Sequence, residues 1–146
     1  MREILFRGKR TDNGEWVEGW YEMYPFGRWP VKTSIIPSEG AKAGHYEHVE
    51  VDPSTVGQYT GMKDKNGKRI WDGDILHTAK IVDGIGGYYQ PPLDYHVNVV
   101  VKWDLCAWMW ETLCDDKRYI TFPDAWCHYE CEVIGNVHDN PELLGK

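Results

Sequence analysis

An all-β protein is what this sequence predicts, with a small barrel-like unit in its C-terminal part and a β-hairpin or sheet extension before it. Three observations predict it. Asn66-Gly67 stands between strand-like runs, and this dipeptide is the strongest short-range hairpin signal because both central positions of a type I′ turn need φ > 0. Residues 95–103 place Tyr95, Val97, Val99, Val101 and Trp103 on one strand face, the cleanest period-two run in the chain. Short apolar segments recur between Gly and Pro turns, and no stretch sustains a helical period or an internal repeat.

The elements follow in order. Residues 4–10 read as a first strand, with Ile4 and Phe6 on one face. Thr11-Asp-Asn-Gly14 is turn chemistry, leading to a strand over residues 16–24. There Trp16, Glu18, Trp20, Glu22 and Tyr24 share one face and Val17, Tyr21 and Met23 the other. Large rings on both sides predict contact on both. Pro30 and Pro37 bound a short strand at residues 31–36, and the small, polar residues 38–44 predict a loop. Residues 46–51 form another strand candidate. Asp52 is placed to cap a single helical turn at residues 53–56, since Pro53 is preorganised for the first helical position.

Beyond the Asn66-Gly67 hairpin, Asp72-Gly73-Asp74 is a second tight turn that launches a strand at residues 75–82. A Gly/Pro-rich connection follows at residues 83–92, long for a hairpin. Residues 107–113 and 132–137 are further strands, and Asn140-Pro141-Glu142 marks a helix start. The predicted core of the C-terminal part is Ile70, Ile75, Val99, Val101, Val133 and Val137.

The 146 residues carry 42% apolar and 27% charged side chains, ordinary for a soluble globular protein of one-domain length. Aromatic content is not ordinary: eight Trp and nine Tyr stand against three Phe. Tyr and Trp join apolar area to a polar handle, which suits half-buried sheet faces and interfaces. The formal charge of −7 works against non-specific nucleic-acid binding, which needs a segregated basic face. The sequence predicts neither signal peptide nor membrane span: the first residues are charged, and no apolar stretch approaches ~18 residues. A cytoplasmic location is the expectation, and with it reduced thiols at Cys106, Cys114, Cys127 and Cys131.

Several constellations invite a chemical reading. Cys127-His-Tyr-Glu-Cys131 comes nearest to metal-ligand spacing, but an extended chain would hold its two cysteines roughly 13 Å apart. Cys106 and Cys114 lie within a strand-like, Trp-rich run, so the expectation is free thiols and no bound metal. The histidines at 45, 48, 77, 96, 128 and 138 fall in no catalytic motif, and no Gly-x-Ser-x-Gly is present. Asp72 and Asp74 flank a turn glycine, where Asp bonds backbone amides; like Asp115/Asp116, they supply too few oxygens to predict a cation site. Gly84-Ile-Gly-Gly87 lacks the strand-to-helix context of a phosphate loop. Basic residues cluster at Arg7, Lys9 and Arg10 and at Lys63, Lys65, Lys68 and Arg69, near Trp and Tyr, as in single-strand binders. Asp64 and Asp72 sit among those lysines, and a solvated hairpin tip explains them more simply. No catalytic, cofactor-binding or metal residue is expected.

The run Tyr59-Thr-Gly-Met-Lys-Asp-Lys-Asn-Gly-Lys-Arg-Ile-Trp-Asp-Gly-Asp-Ile-Leu76 resembles the core of the YopX family, small proteins found in phages and prophages. Glu132-Val-Ile-Gly-Asn-Val-His-Asp-Asn-Pro-Glu-Leu-Leu144 resembles the end of that family, and Met1-Arg-Glu-Ile-Leu-Phe-Arg7 its opening. The three segments match in order and at compatible spacing. The resemblance implies a single YopX-like domain over residues 1–146, with an N-terminal β subregion at 1–58 and a barrel-like subregion at 59–146. The second part also resembles a small SH3-like barrel, in which a pair such as Gly73-Asp74 opens a strand after a tight turn. The family likeness implies a phage or prophage accessory protein in the bacterial host cytoplasm and brings no reaction with it. The leading expectation is a non-enzymatic module that self-associates or binds a host or phage protein, with no cofactor. A nucleic-acid module acting in phage replication or gene expression, and an uncharacterised enzyme, remain the alternatives.

Overall fold

A computed structural model describes residues 3–24, 32–38, 47–79, 96–104, 107–114, 117–121 and 131–144. It is all-β, apart from two short 3₁₀ turns among the described residues. The chain divides into two compact units, residues 1–61 and 62–146, where the sequence places the boundary at 58/59.

In the first unit, β1 (Phe6–Lys9) and β2 (Trp16–Tyr24) form a hairpin with Phe6 opposite Gly19 and Lys9 opposite Trp16. Its turn is closed by Arg10 N–H to the Glu15 carbonyl at 2.9 Å and by Asn13 Oδ1 accepting from Glu15 N–H. β3 (Lys32–Pro37) pairs along β2, and the two-residue β4 (Val49–Glu50) pairs with β3. As expected, Asp52 caps the turn Pro53–Thr55, its carboxylate accepting from Ser54 N–H at 2.9 Å. β5 (Gly57–Lys63) lies on the other side of β1. Leu5, Ile35, Val49, Val51 and Tyr59 are buried here. The sheet order is β4-β3-β2-β1-β5, with β6 (Arg69–Trp71) following beyond β5.

The second unit holds a five-stranded antiparallel sheet in the order β10-β9-β8-β7-β11. Its strands are β7 (Asp74–Ala79), β8 (His96–Asp104), β9 (Ala107–Cys114), β10 (Lys117–Thr121) and β11 (Glu132–Asn136). Among the described residues the sheet is open rather than a closed barrel: β10 and β11 are its two edges. One core joins Ile70, Leu76, Val99, Val101, Cys131 and Val133, with Met62 and Trp108 packed against it.

Of the expected core residues, Ile75 is buried on the other face of the sheet and only Val137 needs correction. Ile75 is fully buried but pairs with Val100, so it faces away from Val99 and Val101. Val100 and Met109 are buried with it, so both faces of β7 and β8 are covered, as the unbroken run Val99-Val100-Val101 requires. Val137 is only half-buried. It lies past the end of β11, where its N–H bonds the Gly73 carbonyl at 2.9 Å.

The turns follow the local chemistry with one shift of register. Gly67 N–H bonds the Asp64 carbonyl, which centres the first turn on Lys65-Asn66, and Gly67 takes the left-handed position at φ 80°. This is a three-residue loop with a left-handed glycine rather than the two-residue type I′ loop expected. Gly73 is left-handed at φ 81°, while Trp71 N–H donates to the buried Asp74 carboxylate at 2.9 Å. The strand expected at 75–82 is described as far as Ala79. The connection at 83–92 lies outside the described residues.

Candidate functional site

The first unit carries an aromatic strand exposed on both faces. Alternation puts Trp16, Glu18, Trp20 and Glu22 on one side of β2 and Val17, Gly19, Tyr21 and Met23 on the other. Trp20 is 48% exposed, Tyr21 36% and Met23 55%, and Ile4, two residues ahead of Phe6, is 61% exposed. The Phe6 and Tyr21 rings meet at 5.4 Å between centroids. The side chain of Tyr24, expected on the Trp16–Trp20 face, lies outside the described residues.

The Trp16 face is polar around its rings. Arg7, only 9% exposed, sets its guanidinium 4.6 Å from the Trp16 ring centre, and the Lys9 ammonium lies 5.5 Å away. Cations over an indole face are attracted by its quadrupole. Glu22 accepts from or pairs with His48 at 2.9 Å, and Lys32 pairs with Glu50 at 2.9 Å.

Four of the basic residues singled out from sequence have aromatic or acidic partners. Arg7 and Lys9 serve Trp16. Arg10 pairs with Asp12 at 2.7 Å, and that hydrogen bond and charge raise the arginine and lower the carboxylate. Lys65 pairs with Glu132 at 2.6 Å, holding that carboxyl below its ordinary range. The backbone of Lys68 is fixed by Asp64.

Asp64 is the residue the sequence reading undervalued. It is buried, with Oδ1 accepting from Asn66 and Lys68 N–H, each at 2.9 Å, and Oδ2 from Val133 N–H at 3.0 Å. Burial pushes its pKa up, but the Val133, Lys68 and Asn66 amides and the Lys68 charge outweigh this, so it titrates below the ordinary value. The signal was present in Asp64-Lys-Asn-Gly67, since Asp two residues ahead of a turn bonds the backbone beyond it.

Cys131 is buried, and burial followed by the Asp64 charge raises its thiol pKa, the opposite of a reactive thiolate. The side chains of Cys106, Cys114, Cys127 and His128 lie outside the described residues, as do Asp115, Asp116 and Gly84–Gly87. Among the described residues no three His, Cys, Asp or Glu side chains gather as a metal site. His77 contacts Asn98 at 3.0 Å, whose amide donates to the Leu143 carbonyl. Asp72 lies in the turn, and Asp74, the first residue of β7, bonds the Trp71 amide across it. No helix among the described residues is long and apolar enough to cross a membrane. The chemistry offered is contact: exposed rings and a thioether bordered by paired charges.

Comparison with known proteins agrees with the family likeness. The family model described as YopX protein matches residues 5–145. A crystal structure of protein EF1440 from Enterococcus faecalis is similar at 24% identity and a TM-score of 0.48, with 99% of each chain covered. No curated protein matches the sequence.

Proposed function

The chain belongs to the YopX family, and from that premise we propose that it is a non-enzymatic phage or prophage accessory protein of the bacterial host cytoplasm, a β-rich module that self-associates or binds a protein partner. The observation that carries this reading is the double exposure of β2, with Trp20 on one face and Tyr21 and Met23 on the other. Interface centres are enriched in Trp, Tyr and Met, and monomers rarely leave contiguous apolar patches beyond a few hundred Å². Glu18 and Glu22 border Trp20, as charged groups border an interface centre.

A nucleic-acid role draws less support. Arg10 and Lys65 are paired with Asp12 and Glu132, which offsets charge that phosphate contact would use.

Light scattering at micromolar concentration tests self-association. A multiple of the 17.0 kDa chain that Trp20→Glu or Met23→Glu reduces to monomer supports it. A pull-down from phage-infected cells, with and without nuclease, tests the partner arm. The reading fails if the chain is monomeric and captures no protein whose retention depends on Trp20 or Met23. Nuclease-sensitive capture would replace it with the nucleic-acid reading.

A further inference from the structure

Strand β2 repeats a ring-and-carboxylate pattern, Trp16-Val-Glu-Gly-Trp-Tyr-Glu22, whose alternation sets both indoles and both carboxylates on one face of the sheet. The first indole has its cations from the same hairpin. Arg7 and Lys9 project from β1 onto that face, the guanidinium 4.6 Å and the ammonium 5.5 Å from the Trp16 ring centre. Glu18 stands directly opposite Arg7 in the β1–β2 register. Indole, guanidinium and carboxylate are thus gathered by one stretch of ladder.

Four residues on, the pattern recurs without the cation. Trp20 is paired with Ile36 on β3, and on the β1 side the place two residues before Arg7 belongs to Leu5, which is buried. Neither neighbour carries charge. Among the described residues no arginine or lysine stands over the Trp20 ring, which is exposed. Glu18 and Glu22 flank it on its own face; Glu18 is exposed, and the Glu22 carboxylate pairs with His48 at 2.9 Å. Lys32, opposite Tyr24, meets Glu50. The face around Trp20 therefore offers an open indole between two carboxylates.

A guanidinium answers both features together. It is planar and stacks on an indole, and its fork of N–H donors reaches carboxylates beside the ring. An ammonium lacks the planar face, and an uncharged side chain gains nothing from the carboxylates. We infer that the Trp20 face seats an arginine side chain of a protein partner, with Glu18 and Glu22 accepting from the guanidinium. The inference rests on the reading of β2 as a contact surface and names the chemistry that docks there. The formal charge of −7 acts in the same direction, drawing a basic segment toward the chain.

The test titrates the full chain with N-acetyl-arginine amide at fixed ionic strength. NMR reads the Trp20 indole N–H, which Trp20→Phe assigns by its disappearance. A saturable shift is expected at Trp20 and none at Trp16, whose ring already has Arg7 and Lys9. The citrulline counterpart, with a neutral urea in place of the guanidinium, should bind roughly 2- to 5-fold more weakly, the scale of one cation–π contact at an exposed site. Glu18→Gln and Glu22→Gln, made singly, should each weaken arginine binding by roughly 2-fold, as loss of an exposed ion pair does. Equal binding of citrulline, tighter binding of the lysine counterpart, an equal shift at Trp16, or arginine binding unchanged in both glutamine variants would each overturn the inference. No shift at Trp20, together with protein capture that still depends on Trp20, would overturn the arginine seat and leave the contact reading of β2 standing. Self-association through Trp20 that arginine amide does not weaken would do the same.

Discussion

Replacing Gly19 by Ala tests how closely β2 and β3 approach. A Cβ built at Gly19 falls 2.7 Å from the Ile36 carbonyl carbon, nearer still to its oxygen, and 3.0 Å from Ile35 Cγ2, where real contacts need more than 3.0 Å. The obstacle is backbone in a paired strand, with Gly19 opposite Pro37 and Trp20 opposite Ile36, so no side-chain rotation relieves it. The strands must part. Overpacking of this kind costs about 1–3 kcal/mol, and each ladder bond weakened adds about 1 kcal/mol. Alanine recovers roughly 0.5–1 kcal/mol over glycine in a strand. A net loss of about 2–3 kcal/mol follows, or ~10–20 °C in the melting of a unit this size. Gly67→Ala is the comparator: nothing lies within 4 Å of its added Cβ, so only its left-handed φ of 80° is charged, at about 1–2 kcal/mol. Urea unfolding followed by Trp fluorescence measures both. A Gly19→Ala loss equal to or smaller than that of Gly67→Ala would refute the close-approach argument.

Gly67→Val and Gly73→Val should each destabilise by roughly 1 kcal/mol or more, because β-branched residues fit the left-handed region poorly; unchanged urea midpoints for both would contradict this. Asp64 has a folded pKa below its ordinary 3.8, so its contribution is complete above that value and is lost as pH falls through the folded pKa. Urea midpoints taken down an acid series should show an acid limb that Asp64→Asn flattens. Cytosolic protein should carry no zinc by elemental analysis after chelator-free purification, and show no shifted band on a non-reducing gel with thiols blocked at lysis. Cys131 should react with alkylating agents only as the chain unfolds, since its thiol is buried and its pKa raised.

Local chemistry made much of the fold readable. The β2 limits match residues 16–24, and β8, described as His96–Asp104, covers the period-two residues from Val97 to Trp103, because alternation and turn residues act within a few positions. Asp52-Pro53 announced its capped turn for the same reason. Distance along the chain hid the rest. Which face Ile75 occupies is fixed by its register against Val100, which no window around Ile75 contains. β10 was missed, although Asp115-Asp116 separates it from β9 by two residues; its five residues, Lys117-Arg-Tyr-Ile-Thr121, alternate too weakly to show. Asp64 looked like one more charge on a lysine-rich tip because its third partner, Val133, lies far along the sequence. The exposed rings of β2 were legible as too much apolar area for one core, and Trp20, Tyr21 and Met23 carry that excess.

The pairing of Glu132 with His77 has a consequence for synthesis. Strands β7 to β10 follow one another as a meander, so each can pair with its predecessor as it leaves the ribosome. β11 cannot: it returns across the whole meander to the first strand of the sheet, and the core keeps gaps at Cys131 and Val133 until it arrives. Through that interval β7 presents an open edge with Leu76 beside it, the kind of surface on which nascent chains stick to one another. The rate at which the C-terminal strand finds β7, rather than the rate of hairpin formation, then sets how long the newborn protein stays vulnerable.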